Sequence, residues 1–373
     1  MSMPEEAPFL FLTCKRESTP LLKDETAALF PEWRFSYSRP SFLTYRLPEG
    51  TNTLRSALER SGELIFASSC SAVLGKVSGA APGEMPGLFA SFMENRFPEA
   101  WRRLRLSVPL PSRVHFWLPS SPAPTPQTHA RASELSRFLP GQNTGSDLAE
   151  GFFPPSLPRP GEVCLDCAEV LPTEWYIGVH QVRDFHGRFP GGYFPLTIPT
   201  DGTSRAWMKF EEGLRWSGFP IGRGARCADI GASPGGGSQA LLARGAEVLG
   251  VDPAEMAPAV LQNPDFTHLR GRISQLKKKL FRKTRWMIGD MNVAPNYTLD
   301  ALEELTSSRE IEVRGLLFTM KLFQTGLARR IPEYLDRVRG WGFNQIKVRQ
   351  LTYNRQEVMV AALKHPFRSR KSK

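Results

Sequence analysis

Residues 226–252, RCADIGASPGGGSQALLARGAEVLGVD, constrain the fold more than any other stretch of this chain. A short apolar run leads into a glycine-rich turn, a helical segment follows, and a second apolar run ends at Asp252. From residue 197 onward, strand-like runs keep alternating with helical segments, a pattern typical of an open α/β sheet. The last two runs, NQIKVRQLT and EVMVAALK, are separated by YNRQ and predict an antiparallel edge hairpin. The C-terminal part is therefore predicted to be a doubly wound α/β domain.

The spacing of the glycines narrows the ligand that this turn could hold. An NAD-type G-x-G-x-x-G turn starting at Gly231 fails because position 233 is serine, and the Walker spacing fails because no lysine follows. The spacing D-x-G-x-x-x-G does fit, with Asp229, Gly231 and Gly235. Asp252, at the end of the next strand, is placed to accept hydrogen bonds from ribose hydroxyls. The turn therefore suits S-adenosylmethionine, which carries no phosphate, although a tight turn without a ligand remains open.

Four charged residues stand where a site of this fold would need them. Lys321 lies inside the apolar run GLLFTMKLF, and burial of an ammonium is uncommon. Asp290 follows the apolar WMIG, Lys209 lies on the helix before the glycine strand, and Glu357 opens the final strand. Each alone has a simpler interpretation, as a solvated lysine, a turn cap or an edge-strand charge. Together they form a Lys–Asp–Lys–Glu set that could activate a weakly acidic ribose 2′-hydroxyl for methylation.

The proposed base in that set is a lysine whose pKa must allow it to accept a proton. Partial burial and a second ammonium nearby both favour the neutral amine, so we expect a lowered pKa. The carboxylates would orient the amines, and the leaving thioether needs neither an acid nor a metal. In-line positioning of the hydroxyl, the methyl and the sulfur would supply much of the rate.

Charge indicates a polyanionic partner. Lys plus Arg number 48 against 37 Asp plus Glu, which gives a net charge of +11. A charge of this size favours nucleic acid over a membrane surface as the partner, although the excess could serve solubility alone. The basic run KKKLFRKTR (277–285) could contact phosphates beside the active site or could be a solvated loop. No apolar stretch approaches the ~20 residues that span a bilayer. The N-terminus also lacks the pattern of a signal peptide. We therefore expect a soluble cytoplasmic protein.

The five cysteines do not indicate a disulfide framework, because they are odd in number and sparse in a chain of 373 residues. Cys164 and Cys167 form one C-x-x-C, but no second pair or nearby histidine completes a zinc site. In a strand these two residues would face opposite sides. No metal site is predicted.

The N-terminal part is predicted to be α+β. Runs such as PFLFLTCK and FLTYRL predict strands, and PLLKDETAALF and MPGLFASFMENRF predict helices. Residues 118–132 and 140–161 are rich in Pro, Ser, Thr and Gly, which suggests a mobile linker or an exposed insertion. A pair of strands is predicted over 162–182.

Six motifs carry a family resemblance. SRAWMKFEE, DIGASPGG, GVD, IGDM, TMKL and NRQEVMV, in this order over residues 197–365, resemble the bacterial 23S rRNA cytidine 2′-O-ribose methyltransferase M family, a branch of the FtsJ-like ribose methyltransferases. The resemblance implies a Rossmann-like, S-adenosylmethionine-dependent methyltransferase domain over 197–373. It further implies a ferredoxin-like lobe over 1–52 and a THUMP RNA-binding domain over 53–196. The Pro/Gly-rich insertion at 118–161 has no counterpart in the family pattern. The implied partner is 23S rRNA, and a monomer is expected.

The resemblance also implies roles for individual residues. Lys321 would be the general base, completed by Lys209, Asp290 and Glu357. The implied S-adenosylmethionine site comprises Ser204, Ser233, Pro234, Gly235, Gly236, Asp252 and Asp290.

Two positions depart from the family pattern, with Gly237 where an aromatic is expected and Arg272 nearest to an expected acid. Two other functions therefore stay open. One is a methyltransferase acting on a base, a small molecule or another RNA. The other is a binding protein that has lost catalysis.

Overall fold

The computed structural model describes residues 8–50, 53–140 and 157–365. The chain divides into two compact units, residues 1–195 and residues 196–373. None of the helices in the described ranges combines the length and the apolar character needed to cross a membrane. The α/β fold class is confirmed, whereas the ferredoxin-like and THUMP domain assignments and their boundaries stay predictions.

Within the described residues, the first unit is built on a seven-stranded sheet. In chain order its strands are β1 (Phe9–Cys14), β2 (Arg34–Arg39), β3 (Phe42–Arg46), β4 (Ala67–Ser78), β5 (Arg113–Trp117), β6 (Val163–Leu171) and β7 (Glu174–Gln181). Their order across the sheet is β2-β3-β1-β4-β7-β6-β5. Neighbouring strands are antiparallel except β5 and β6, which are parallel. Because β1 pairs with β4, one sheet contains strands from both sides of residue 52, where the family resemblance implies a domain boundary.

The first unit also contains five helices in its described part. They are α1 (Thr19–Leu29), α2 (Thr53–Arg60), α3 (Met85–Asn95), α4 (Phe97–Leu104) and α5 (Pro126–Ser136). The mobile-linker interpretation of residues 118–132 is wrong where α5 forms. Thr125 caps this helix by accepting a hydrogen bond from the backbone N–H of Thr128, and Leu135 on α5 is fully buried. Residues 141–156 of the second Pro/Gly-rich segment lie outside the described residues.

The second unit contains the predicted α/β sheet. Its strands are β8 (Arg226–Ile230), β9 (Glu247–Asp252), β10 (Phe266–Arg270), β11 (Trp286–Gly289), β12 (Gly315–Lys321), β13 (Gln345–Arg349) and β14 (Glu357–Leu363). Their order is β10-β9-β8-β11-β12-β14-β13, with β8 to β12 parallel and β14 antiparallel to both of its neighbours. The predicted terminal hairpin is confirmed, with β13 at the sheet edge and β14 inside it.

The helices of the second unit follow the strands as the pattern predicted. They are α6 (Ala206–Ser217), α7 (Gly236–Leu242), α8 (Pro258–Leu261), α9 (Pro295–Thr306), α10 (Thr325–Arg329) and α11 (Ile331–Gly340). Every residue of β11, β12 and β14 is buried, which explains their nearly continuous apolar sequences. From β8 the chain builds outward to β9 and β10, then returns to add β11 and β12 on the other side. The carboxyl ends of β8 and β11 therefore flank the switch point, where doubly wound sheets bind ligands.

Candidate active site

Sheet register brings three of the four predicted charges to one edge of the second sheet. Asp290 directly follows β11, and Lys321 is the last residue of β12. Glu357 opens the antiparallel β14 and stands directly opposite Lys321 in the strand pairing. The fourth charge, Lys209, comes from α6. Residues up to 148 positions apart in sequence thus meet because parallel strands end together and one antiparallel strand begins there.

The four side chains form a closed ring of alternating charge. Lys209 Nζ lies 2.8 Å from Asp290 Oδ2 and 2.9 Å from Glu357 Oε1. Lys321 Nζ lies 2.9 Å from Asp290 Oδ1 and 2.6 Å from Glu357 Oε2. The side chains are between 7% and 12% exposed, so bulk water screens these pairs little. Each ammonium contacts both carboxylates, and the ring carries no net charge when all four groups are ionised.

This arrangement overturns the expected direction of the Lys321 pKa. Burial is the largest single influence and favours the neutral amine, but the Asp290 and Glu357 carboxylates outweigh it and raise the pKa above the ordinary value of 10.5. Burial also disfavours ionised Asp290 and Glu357, yet the two lysines hold the pKa of both carboxyls below their usual values. Lys321 is therefore an ammonium at neutral pH in this geometry. The two carboxylates, at 2.9 and 2.6 Å from Lys321 Nζ, outweigh the effect of the second ammonium that the sequence pattern indicated.

Two further residues support the ring, and the sequence patterns did not single them out. Thr319, two positions before Lys321 on the same face of β12, donates a hydrogen bond of 2.5 Å to Asp290 Oδ1. Glu212 is fully buried on α6 and accepts hydrogen bonds from the backbone N–H groups of Thr352 and Tyr353, at 2.9 and 3.1 Å. These bonds fix the loop that leads into Glu357. The three-residue spacing of Lys209 and Glu212 on one helix was the available signal.

The glycine turn after β8 requires glycine for conformational and steric reasons. Gly231 and Gly235 have φ values of 78° and 128°, in a region that favours glycine. Beneath the turn, Asp229 is 1% exposed and accepts a hydrogen bond of 2.8 Å from Ser238 Oγ. Burial raises the pKa of Asp229 to about 7. The D-x-G-x-x-x-G spacing thus combines a buried carboxyl with two turn glycines.

The predicted cofactor residues surround this turn. Asp252 accepts from the backbone N–H of Ser233 at 3.1 Å and of Ala254 at 2.8 Å, which ties the end of β9 to the glycine turn. The peptide bond between Ser233 and Pro234 is cis. Ser204 Oγ is buried and, among the described residues, has no hydrogen-bond partner. A Cβ added at Gly236 would lie 2.3 Å from that oxygen. An orphaned hydroxyl beside this turn fits a polar group of S-adenosylmethionine.

Gly237, where the family pattern has an aromatic, is fixed by close packing of α7 on α6. A Cβ at this position would lie 2.8 Å from Asp229 Oδ2 and 2.9 Å from two ring atoms of Phe210. Phe210 is 1% exposed and belongs to the apolar core of the second unit. The ring of Phe210 therefore occupies the space into which a side chain at 237 would project.

Two other features of the sequence, Arg272 and the basic run 277–285, also lie on the second unit. Arg272, which stands nearest to the acid of the family pattern, follows β10 and is exposed. The basic run 277–285 ends immediately before Trp286, the first residue of β11, whereas Asp290 follows the opposite end of that strand. The end of this run is therefore not beside the charge ring. Exposed apolar side chains do lie close in sequence to the ring residues, namely Val293, Tyr297 and Phe323 at 37%, 69% and 49% exposure.

Comparison with known proteins shows what this unit is similar to. Residues 203–351 match the family model of FtsJ-like methyltransferases. This range includes Lys209, Asp290 and Lys321 and ends before Glu357. Ribosomal RNA large subunit methyltransferase M of Halorhodospira halophila is 27% identical over 188 residues, covering 49% of this chain and 53% of that protein. The protein of the same name from Laribacter hongkongensis is 27% identical over 184 residues, covering 46% and 51%. The chain thus spans about half the length of the curated relatives it matches.

A solved structure gives a weaker likeness. The fibrillarin pre-rRNA processing protein of Methanococcus jannaschii is 13% identical and covers 39% of this chain and 68% of that one, with a TM-score of 0.32. A similarity at this level carries no argument about fold or function.

Proposed function

We propose that the second unit, whose residues 203–351 match the family model of FtsJ-like methyltransferases, transfers the methyl group of S-adenosylmethionine to a ribose 2′-hydroxyl of ribosomal RNA. The proposed substrate is a cytidine of 23S rRNA, in line with the large-subunit methyltransferases that the chain resembles. We further propose that the protein acts in the cytoplasm as a monomer. The single observation that carries the reaction type is the closed Lys209–Asp290–Lys321–Glu357 ring beside the glycine turn.

Lys321 is proposed to accept the proton of the 2′-hydroxyl. A neutral lysine amine has two N–H donors and one lone pair. The Asp290 and Glu357 carboxylates are placed to accept both donors, at 2.9 and 2.6 Å, which leaves the lone pair for the hydroxyl proton. Loss of the Lys321 proton gives the ring a net charge of −1, and uptake of the substrate proton restores neutrality. The ring therefore makes Lys321 a strong base whose free form is scarce at neutral pH.

Lys209 and the loop contacts have positioning roles in this proposal. Lys209 bridges the outer oxygens of both carboxylates and so holds them in the orientation that faces Lys321. Glu212 fixes the loop before Glu357, and Thr319 holds Asp290.

The cofactor residues are proposed from the sequence and supported by the geometry of the turn. When bound, S-adenosylmethionine supplies an electrophilic sulfonium methyl and leaves as a neutral thioether. Ser204 Oγ would donate to one of its polar groups, and Asp252 would accept from its ribose hydroxyls. The backbone from Ser233 to Gly236 would lie against it. Asp290 would serve both the cofactor and the ring.

RNA capture is proposed to involve both units. The net charge of +11 favours binding to phosphates, and the first unit would supply the THUMP-type contacts implied by the family resemblance. Single-stranded RNA is commonly held by stacking of bases on aromatic side chains. Tyr297 and Phe323 are exposed aromatics close in sequence to Asp290 and Lys321, so they are the proposed stacking surfaces.

The decisive experiment compares two lysine variants in a methylation assay. Full-length protein is incubated with S-adenosylmethionine and unmodified 23S rRNA, and ribose methylation is mapped by resistance to alkaline cleavage. We expect Lys321→Ala to lower the single-turnover rate by at least about 100-fold, the lower range for general base catalysis, while cofactor binding persists. Lys347→Ala is the matched control, because Lys347 is an exposed lysine on β13 of the same sheet.

Each other outcome would favour a different function. Full activity of Lys321→Ala would refute the assigned base. Methylation of a base instead of a ribose would indicate another methyltransferase reaction on the same sheet. Failure of the wild-type protein to bind S-adenosylmethionine at millimolar concentration would contradict the enzyme proposal and favour a binding protein.

A further inference from the structure

A second polar cluster is buried in the first unit, on one face of its sheet. It comprises His115 on β5, Cys164 and Asp166 on β6, and His180 on β7. Cys164 stands opposite His180 in the antiparallel pairing, and His115 stands opposite Asp166 in the parallel one. Because Cys164 and Asp166 are two positions apart, they share a face of the strand. Three adjacent strands thus direct four potential metal ligands to one place.

The donor atoms are close enough to share an ion. One ligand atom each from His115, Cys164 and His180 lies within 4.8 Å of the other two. His180 Nδ1 lies 2.6 Å from Asp166 Oδ2, and His115 Nδ1 lies 3.6 Å from Asp166 Oδ1. Donors of a tetrahedral zinc ion lie about 3.3–3.8 Å apart. The donors of His115, Cys164 and His180 would therefore approach by up to about 1 Å, while the 2.6 Å contact between His180 and Asp166 would lengthen.

His115 provides an independent indication of a ligand. Its Nδ1 is buried and, within the part of the chain that the structure describes, makes no hydrogen bond. The residue is only 5% exposed, so water does not compensate. A buried ring nitrogen without a partner is costly unless something binds it.

The outer contacts match those that orient metal ligands. His180 Nε2 lies 2.7 Å from the carbonyl oxygen of Gly187, and Ser71 Oγ donates a hydrogen bond of 2.6 Å to Asp166 Oδ2. Metal-binding histidines commonly donate their second N–H to a backbone carbonyl, and metal-binding carboxylates are themselves hydrogen-bonded. Both nitrogens of His180 face acceptor oxygens in this structure, so its ring carries two protons here.

We propose that His115, Cys164, Asp166 and His180 bind one structural Zn²⁺ ion. On binding, the thiol proton of Cys164 and the Nδ1 proton of His180 leave to solvent, and four bonds to the metal form. Before binding, the Asp166 carboxylate balances the His180 imidazolium. Afterwards, Zn²⁺ balances the Cys164 thiolate and the Asp166 carboxylate. The buried cluster is neutral in both states, so the exchange adds no uncompensated charge to the interior.

The donor set indicates zinc and a structural role. Two imidazoles, a thiolate and a carboxylate are borderline ligands of the kind that zinc accepts in tetrahedral geometry. All four positions are filled by protein, so no open position is left for a substrate. The ion would tie β5, β6 and β7 together, independently of the methyltransferase site on the second unit.

The test measures zinc in the full-length protein. Protein is purified without chelators from cells grown with added Zn²⁺, and its metal content is determined by mass spectrometry. We expect about one zinc ion per chain in the wild-type protein and a loss of affinity of at least about 100-fold in Cys164→Ser and His115→Gln. Loss of a residue that only hydrogen-bonds a metal ligand typically lowers metal affinity by about 10–100-fold, so loss of a ligand itself should lower it by at least about 100-fold. Cys167→Ser is the matched control, because Cys167 is equally buried on β6 but faces the opposite side, and it should keep the zinc.

Cobalt binding by the wild-type protein is a second measurement, and it tests the proposal even if the variants fail to fold. Refolding in Co²⁺ should give the visible bands of tetrahedral cobalt and a near-ultraviolet thiolate-to-metal band. Folded wild-type protein that contains no zinc and takes up no cobalt would overturn the proposal. So would zinc that survives Cys164→Ser but is lost in Cys167→Ser.

Discussion

Replacing Glu357 with glutamine should move the pH–rate profile of methyl transfer to lower pH. Glu357 Oε2 lies 2.6 Å from Lys321 Nζ, and Glu357 and Asp290 together raise the pKa of that lysine. Glutamine keeps the shape of the side chain, but it removes one of the two negative charges and replaces one acceptor oxygen with an NH2 donor. The remaining carboxylate, Asp290, is then shared by two ammonium groups, which favours the neutral amine further.

The size of the shift follows from the contact distance. An opposite charge within about 4–6 Å moves a pKa by about 1–3 units, and the Nζ–Oε2 distance lies well inside that range. Each unit corresponds to about 1.4 kcal/mol of differential interaction, so the expected change is about 1.4–4 kcal/mol. The free-amine fraction at pH 8 rises about tenfold for each unit, while the intrinsic basicity of the amine falls. The position of the break in the profile is therefore a better readout than the rate at one pH.

The assay is a single-turnover methyl transfer at saturating cofactor, followed from about pH 6 to pH 10, the range in which a lysine base titrates. The wild-type rate should rise tenfold per pH unit without reaching a plateau, because the Lys321 pKa lies above 10.5. The profile of Glu357→Gln should begin to bend at a lower pH than that of the wild type. Glu333→Gln is the control, since the Glu333 side chain pairs with Arg330 on the surface and is 64% exposed. Its profile should match the wild type.

Two results would refute this reasoning. A wild-type rate that does not depend on pH would show that Lys321 acts as a fixed positive charge and not as a base. A break in Glu357→Gln at higher pH than in the wild type would show that the carboxylate does not raise the pKa of the lysine. Cofactor binding and the melting temperature of each variant establish that the site is still folded.

Three other outcomes are expected. Ser204→Ala should weaken S-adenosylmethionine binding by about 2- to 13-fold, the equivalent of one hydrogen bond of 0.5–1.5 kcal/mol, with unchanged stability; equal affinity by calorimetry would contradict the contact. Gly237→Ala should lower the free energy of unfolding by about 1–3 kcal/mol, because the added Cβ meets Phe210 and Asp229. Gly340→Ala is the control, because a Cβ there projects into open space and should not lower the free energy of unfolding. Urea titrations measure both variants. Because the pKa of Asp229 is raised to about 7, its contribution to stability falls as pH rises from about 4 to 7. Asp229→Asn should remove that pH dependence of the free energy of unfolding. The same pH dependence in the variant and the wild type would contradict this prediction.

The buried strands of the second unit could be predicted because their sequences have little freedom. Strands covered on both faces must be apolar along their whole length, so β12 and β14 stand out with one charged residue each, Lys321 and Glu357. Edge strands carry no such constraint. β2 has a mostly exposed, polar sequence, and β10 at the far edge of the second sheet mixes polar and apolar residues, so neither was predicted.

The membership of the charge ring could be proposed from the sequence, because each residue stands at the start or end of an element. Its supporting contacts could not. Glu212 resembles an ordinary helix glutamate until the loop at Thr352 and Tyr353 folds onto it. The first-unit cluster was missed for a related reason. Along β6 Cys164 has only Asp166 nearby as a same-face ligand partner, and His115 and His180 meet it only through strand pairing.

The direction of the Lys321 pKa shift could not be predicted from the four residue types alone, because it depends on how the charges are arranged. Two ammonium groups that faced each other would lower the pKa of both, which is what their proximity in the fold suggested. In the ring they are separated by carboxylates, and each lysine contacts both acids at 2.6–2.9 Å. Attraction at these distances outweighs both burial and the longer-range repulsion. Removal of either carboxylate is therefore expected to lower the pKa of Lys321.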